Sequence, residues 1–347
     1  MLSYIARRLA TMAGTLLAIS VIVFVIIQLP PGDYLTTTIA EMQASGETVD
    51  QDRIEFLRQQ YGLDKPMPLQ YLTWVGGLLH GDLGYSFEYG MPVSDVVGDR
   101  LFLSLVLNFA TILFIYAVSF PIGIYVATRP YGLADHGLSF LGYLGLATPN
   151  FLLALILLYL SNRYFGLSIG GLTDPEYVDA PWSTAKAGSL LAHLVVPVVV
   201  IGTAGTAGMI RRLRANLMDE LHRPYVVAAR ARGVPEGRLL RRYPLRAVLN
   251  PFISDIGTLL PQVVSGSVIV SAVMSLPTTG PMLLSALRSQ DMYLAGSFLM
   301  FLALLTVVGM FLSDILLAMV DPRVRLQAER KALSLIHISE PTRPERI

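Results

Sequence analysis

Residues 7–32 read RRLATMAGTLLAISVIVFVIIQLPPG. The run from Leu9 to Leu29 carries no charge and is about twenty residues long, enough to cross a ~30 Å hydrocarbon layer as a helix. A secretory signal would end in small residues at a cleavage site. Pro30-Pro31-Gly32 follows instead, so the run reads as a retained anchor. Outward from this stretch, further apolar spans centre on Leu101 to Thr128, Leu138 to Leu160, Leu190 to Ile210, Phe252 to Met274 and Met292 to Val320. Pro149 and Pro197 fall inside the third and fourth spans and are expected to kink them, freeing backbone groups for neighbours or water. The expected fold class is all-α: a polytopic membrane protein of about six transmembrane helices. Composition agrees. Charged residues make up 15% of the 347 and hydrophobic ones 53%, with a mean hydropathy of +0.57. Soluble domains carry about 25% charged residues, so this chain has too few to coat a water-facing surface.

The distribution of Lys and Arg sets the expected orientation. Residues 211–250 hold ten arginines against three acids and should face the cytoplasm. Residues 30–100 hold four basic and eleven acidic residues and should face outward. Arg7, Arg8, Arg323 and Arg325 then lie inside. Both termini become cytoplasmic, which requires an even number of spans and fits six. In the outer segment, Asp52 to Tyr61 and Pro68 to Leu79 have helix-like apolar spacing, joined by Gly62-Leu63-Asp64-Lys65-Pro66 and followed by the tight break Gly81-Asp82-Leu83-Gly84. A small external helical cap is expected there.

Several kinds of chemistry are excluded or left without support. There is no cysteine, so no disulfide, thiolate metal site or thiol nucleophile. The five histidines are scattered without ligand spacing, and no GxxxxGK[ST] phosphate loop occurs. Ser265-Gly266-Ser267 has no accompanying histidine and does not read as a hydrolase site. An intramembrane enzyme therefore lacks its nucleophile–base or metal set. A secondary transporter would show internal repeats and functional charges in several spans, and neither is evident. Polar groups inside spans are functional candidates: Asn108, Asn150, Asp255 and Asp314. Each reads either as an inter-helix contact, with an arginine partner for the acids, or as part of a translocation path. Asp314 and Asp321 are seven residues apart and share a helix face. Thr148-Pro149-Asn150-Phe151 marks a kink that either lines a path or packs helices. Gly202, Gly205 and Gly208, with Ala204 and Ala207, form a small-residue stripe, chiefly a close-packing signal.

The stretch with mechanical content is Tyr225-Val226-Val227-Ala228-Ala229-Arg230-Ala231-Arg232-Gly233. Pro224 suits a first helical turn and Gly233 a helix end. Ala228, Ala229 and Ala231 are small enough for another protein to approach the backbone, and Arg230 and Arg232 flank them. Pro235 can open a second short helix through Leu239, Leu240 and Leu245 toward the next span. A solvated positive-inside loop would need only the arginines.

This segment resembles the EAA-x-x-x-G loop of ABC importer permeases, in the Y-[VI]-x-x-A-R-A-x-G form of the oligopeptide/dipeptide subfamily. Tyr61-Gly62-Leu63-Asp64-Lys65-Pro66 with Gly81-Asp82-Leu83-Gly84-Tyr85-Ser86, Leu276-Pro277-Thr278-Thr279-Gly280 and Asp321-Pro322-Arg323 are similar to other stretches of that subfamily, in the same order, across residues 1–326. Two positions depart from it. Val227 stands where the loop's Glu would be, and Arg242-Tyr243-Pro244-Leu245 replaces R-H-A-L, with Pro244 expected to bend the helix.

The resemblance implies the architecture of type I importer permeases. Residues 1–29 would form the cytoplasmic N-terminus and first span, 30–100 the external cap, and 101–326 the permease core with coupling loop 211–250. The function implied is the transmembrane pathway of a binding-protein-dependent ABC importer for peptides, or for oligosaccharides, nickel chelates or opines, in a bacterial or archaeal cytoplasmic membrane. Tyr225, Ala228, Ala229, Arg230, Ala231, Arg232 and Gly233 would couple to an ATPase, and Asn150, Pro277 and Gly280 would belong to the pathway or its gate. Implied partners are a second homologous permease, two ATPase subunits, an external solute-binding protein and the lipid bilayer, with no nucleic acid. The chain itself would be no enzyme and hold no cofactor or metal, ATP and Mg being bound by the partner ATPases. Leu333 to Ile347 reads separately, as the in-frame translation of a transposase sequencing adapter followed by a few residues, and is expected to be a dispensable tail.

Overall fold

The computed structural model describes residues 2–29, 65–166, 169–178 and 180–320. The expected helix at Asp52 to Tyr61, the Asp321-Pro322-Arg323 ending and the tail from Leu333 lie outside the described residues. Eleven α-helices are named in chain order. They are α1 (Leu2–Gln28), α2 (Met67–Leu79), α3 (Val93–Thr128), α4 (Leu133–Ala147), α5 (Asn150–Leu160), α6 (Thr184–Leu221), α7 (Pro224–Ala231), α8 (Glu236–Arg242), α9 (Pro244–Val273), α10 (Thr279–Arg288) and α11 (Met292–Val320). Among the described residues the fold is all-α apart from one hairpin of two-residue strands, β1 (Tyr85–Ser86) against β2 (Met91–Pro92), with Tyr85 opposite Pro92.

Among the described residues four helices are long and apolar enough to cross a membrane: α1, α3, α6 and α11. The expected third span does not form as one continuous helix. α4 and the helical stretch from Asn150 to Tyr164 meet at 101°, the geometry of a broken span or of a re-entrant loop, and would add a fifth crossing only as a single bent span. The cause is local. A proline disfavours helical backbone at the residue before it, and Thr148 is extended (φ −87°, ψ 119°), as is Pro149 (φ −58°, ψ 134°). Two non-helical residues in succession redirect the chain. Pro197, by contrast, lies inside α6, which runs on for 38 residues. The segment expected as the fifth span lies in α9, whose 30 residues extend about 45 Å at 1.5 Å per residue. Its continuous apolar part among the described residues is Gln262–Val273. Six crossings are therefore not established by length and composition.

α3 and α6 form the centre of the bundle, where Leu107, Ile115, Val200, Ile201, Met209, Leu213 and Leu217 are buried. Small residues set how closely they approach. A Cβ at Gly202 would fall 2.7 Å from Phe114, one at Gly205 2.8 Å from Ile115, and one at Gly123 2.7 Å from Leu213. Without a water-driven hydrophobic term, association in lipid rests on such close packing and on inter-helix hydrogen bonds. The latter tie α9 into the bundle: Tyr116 donates to the Phe252 carbonyl at 2.6 Å and Ser313 to the Ile253 carbonyl at 2.8 Å. α1 lies on α11, and α4 on α6. Leu9, Leu17, Ile22 and Ile26 of α1 remain half exposed, an apolar surface that suits lipid.

Beyond α1, helix α2 packs on α1 and α11 through Trp74. Its ring stacks on Phe24 (6.1 Å) and its Nε1–H donates to Ser297 at 3.3 Å. The Gly81-Asp82-Leu83-Gly84 break fixes the hairpin to α11. Asp82 Oδ1 accepts from the Gly84 amide at 2.8 Å, and the Leu83 carbonyl accepts from Ser297 Oγ at 2.7 Å. Gly84 is required twice over: its φ is +84°, and a Cβ there would overlap the Tyr293 ring.

Candidate functional site

The residues from Tyr225 to Gly233 form α7 and its closing turn. Pro224 starts the helix without losing an amide bond, and Gly233 ends it in the left-handed region (φ +80°), its N–H bonded to the Arg230 carbonyl at 2.9 Å. Val226, Ala229 and Leu239 of α8 are buried together, with Val234 and Tyr243 packed against them. The two short helices thus share a miniature core. Tyr225, Val227, Ala228, Arg230, Ala231 and Arg232 face outward. Ala229, expected from its size to serve external contact, is only 7% exposed and turned toward Leu239. Ala228 and Ala231 are the small residues on the free face.

Two carboxylates brace this unit. Glu236 accepts from Arg230 Nε at 2.6 Å and from its NH2 group at 3.3 Å, and that hydrogen bond holds the Glu236 carboxyl below its ordinary value. The Tyr225 hydroxyl donates to Glu220; burial and then that bond push Tyr225 up to about 12. At neutral pH Tyr225 therefore stays a donor, anchoring the start of α7 to the end of α6.

The polar residues expected inside spans separate by environment. Asp255 pairs with Arg212 at 2.6 Å and Asp314 with Arg8 at 2.9 Å, both between helices. Asn108 is buried, and its Oδ1 has no hydrogen-bond partner among the described residues. Asn150, at the α4–α5 break, opens on a cavity of about 390 Å³ between α3, α5, α6 and α9. Gly208, Arg211, Arg212 and Gln262 also line it. Pro277 is exposed and Gly280 is buried, a Cβ there falling 2.9 Å from the Val268 Cα, so neither shares the Asn150 cavity. One ion pair was missed from the sequence: Arg214 grips Asp135 with two bonds of 2.8 and 2.7 Å, and Asp135 is 3% exposed. The only signal was an acid just before the third apolar run.

Comparison with known families fits this arrangement. Residues 119–326 match the family model described as binding-protein-dependent transport system inner membrane component, and residues 1–108 match the N-terminal model of the same component. The chain belongs to this family. It is 34% identical to an oligopeptide transport system permease protein of Bacillus subtilis over 326 residues, covering 93% of this chain and 99% of the relative. It is 32% identical to a putative peptide permease protein of Brucella ovis (94% and 100% covered) and 28% identical to a dipeptide transport system permease protein of Escherichia coli (94% and 99%). The protein is an ABC importer permease, a multi-pass membrane subunit rather than an enzyme. Among its described residues no cluster of His, Asp and Glu could hold a metal ion.

Proposed function

We propose that this permease forms one half of a peptide pathway, coupled to a separate ATPase through the exposed face of α7. The free face of Tyr225, Val227, Ala228 and Ala231 beside Arg230 and Arg232 carries this reading. Tyr225 and Val227 are 43% and 51% exposed although they belong to a helix with its own core on the other side. Apolar side chains exposed beside small ones suit seating in a groove of another protein. The names of the relatives favour peptides as cargo.

The assembly comprises a second related permease, two ATPase subunits that bind ATP and Mg, and an external solute-binding protein. Six crossings with both termini cytoplasmic place α7 and α8 inside and the α2–hairpin cap outside. On binding ATP the ATPases close, and α7 transmits the movement to α6 and α9, between which α7 and α8 lie in the chain. Such a change needs contacts that differ between two states, and the α7 face supplies them. Asn150 and the cavity beside it belong to the pathway.

The test is ATP-driven peptide uptake by the assembled importer in proteoliposomes. Ala228→Trp or Ala231→Trp should insert and assemble normally yet lower uptake at least tenfold, equivalent to about 1.4 kcal/mol of docking. Normal uptake, with normal stimulation of ATP hydrolysis by loaded binding protein, would refute α7 as the coupling face. Glu236→Gln should change uptake little, since water screens an exposed ion pair and leaves it little net worth.

A further inference from the structure

Pro244 produces a feature that coupling does not use. The chain breaks at Tyr243 (φ −113°, ψ −82°), ending α8 and starting α9. Around that break Arg238, Arg241 and Arg242 of α8 and Arg246 of α9 line a concavity of about 360 Å³. No carboxylate lines it. Of the three acids in residues 211–250, Glu236 is held by Arg230 and Glu220 by Tyr225 and Arg223, and Asp219 is not in the concavity. Among the described residues the one partner these guanidinium groups have is the Gly237 carbonyl, which accepts from Arg241 Nε at 3.2 Å. Four like charges converging on one hollow repel one another. Arg246 also sits in the first turn of α9, where the helix dipole disfavours a cation and no side chain caps the free amides. An anion in the hollow would relieve both.

We propose that this hollow binds the phosphodiester headgroup of an anionic phospholipid. Four facts favour a lipid. Arg246 is six residues before Phe252, where the fifth apolar span of the sequence begins, about 9 Å along α9, so with α9 inserted the hollow adjoins its membrane-entering end. Basic pockets at that level suit phosphate headgroups, and guanidinium groups bind phosphate oxygens in pairs. Leu239 points into the α7 core, while at about 100° per residue the three α8 arginines share a separate arc. The hollow therefore lies off the α7 face that meets the ATPase. The proposal rests on insertion of α9 in the membrane and not on the cargo.

Native mass spectrometry of the full-length chain in detergent, with added phosphatidylglycerol or phosphatidylcholine, tests it. Wild type should retain phosphatidylglycerol in preference to phosphatidylcholine. Arg242→Gln/Arg246→Gln should lower phosphatidylglycerol retention at least about fivefold and leave phosphatidylcholine unchanged, while Arg242→Lys/Arg246→Lys keeps most of it. If the Gln variant fails to fold, raising salt on wild type should release the lipid selectively, because the attraction is screened. Equal retention by wild type and a folded Gln variant would overturn the site, as would salt-independent retention. Displacement of the lipid by millimolar inorganic phosphate would mean a soluble phosphate site and overturn the lipid assignment. In the importer assembled with its ATPase subunits, loss of those subunits from the Gln variant with lipid retained would make the hollow a protein contact and overturn the proposal equally.

Discussion

At the scale of residues, two positions outside the spans hold the cap to the bundle and make separate demands. Asp291 is fully buried just before α11. It accepts from Ser86 Oγ at 2.6 Å and from the Glu88 and Leu294 amides at 3.1 Å each. Burial, only partly offset by these bonds, raises its carboxyl above the ordinary value. A raised acid favours its neutral form in the folded state. That contribution is complete below the unfolded value of about 3.9 and is lost as pH rises through the folded one. Asp291→Asn removes the charge and keeps an oxygen for the Leu294 amide, while placing an NH2 group where the Ser86 hydroxyl and the Glu88 amide donate, a loss that does not depend on pH. Thermal melts of the purified proteins from pH 4 to 8 should show wild type losing ground to the variant as pH rises; parallel curves would exclude the effect. Gly84→Ala should lower stability by about 1–3 kcal/mol, the scale of a residue forced into an unfavourable backbone region, and more if Tyr293 cannot move. An unchanged melting temperature would show that the turn is not strained. The sequence marked Gly84 as a break, but the Tyr293 overlap is a long-range contact that no local pattern contains.

At the scale of elements, legibility followed the length of the apolar signal. The Met292–Val320 helix begins where expected, and the spans expected at Leu101–Thr128 and Leu190–Ile210 lie inside α3 and α6, because runs of twenty apolar residues leave little choice of backbone in lipid. The third span bends at Thr148-Pro149, where a kink is expected, but through 101° rather than as one continuous helix. Hydropathy averages across such a joint, and whether neighbouring helices hold a proline as a kink or a corner depends on packing. α7 illustrates the same limit on a smaller scale. Composition identified its small residues, but only the packing of α8 turns Ala229 inward. Ala229→Trp should therefore disrupt the α7–α8 unit itself, making the loop more sensitive to protease than in Ala228→Trp. Equal protease resistance of the two variants would contradict the inward placement. Asp255 and Asp314 were legible as polar residues in apolar runs, yet their partners Arg212 and Arg8 are 43 and 306 positions away along the chain.

For the whole molecule, the central claim is that the bundle spans the membrane with the cap outside and the α7–α8 unit inside. Family membership makes the chain an importer permease, and the arginine asymmetry is the ground for the proposed direction. The cysteine-free sequence allows single thiols to be read without background, provided they are placed on exposed positions. Ser86, though in the cap, is fully buried and would label poorly wherever it lay. Ser94, exposed at the start of α3, and Gly237, exposed in α8 with open space for a side chain, are suitable. The decisive measurement is reaction of Ser94→Cys and Gly237→Cys with a membrane-impermeant maleimide in intact cells or spheroplasts. Ser94→Cys should label at once, and Gly237→Cys only after the membrane is opened. Labelling of both in intact cells, or the reverse order, would contradict the account.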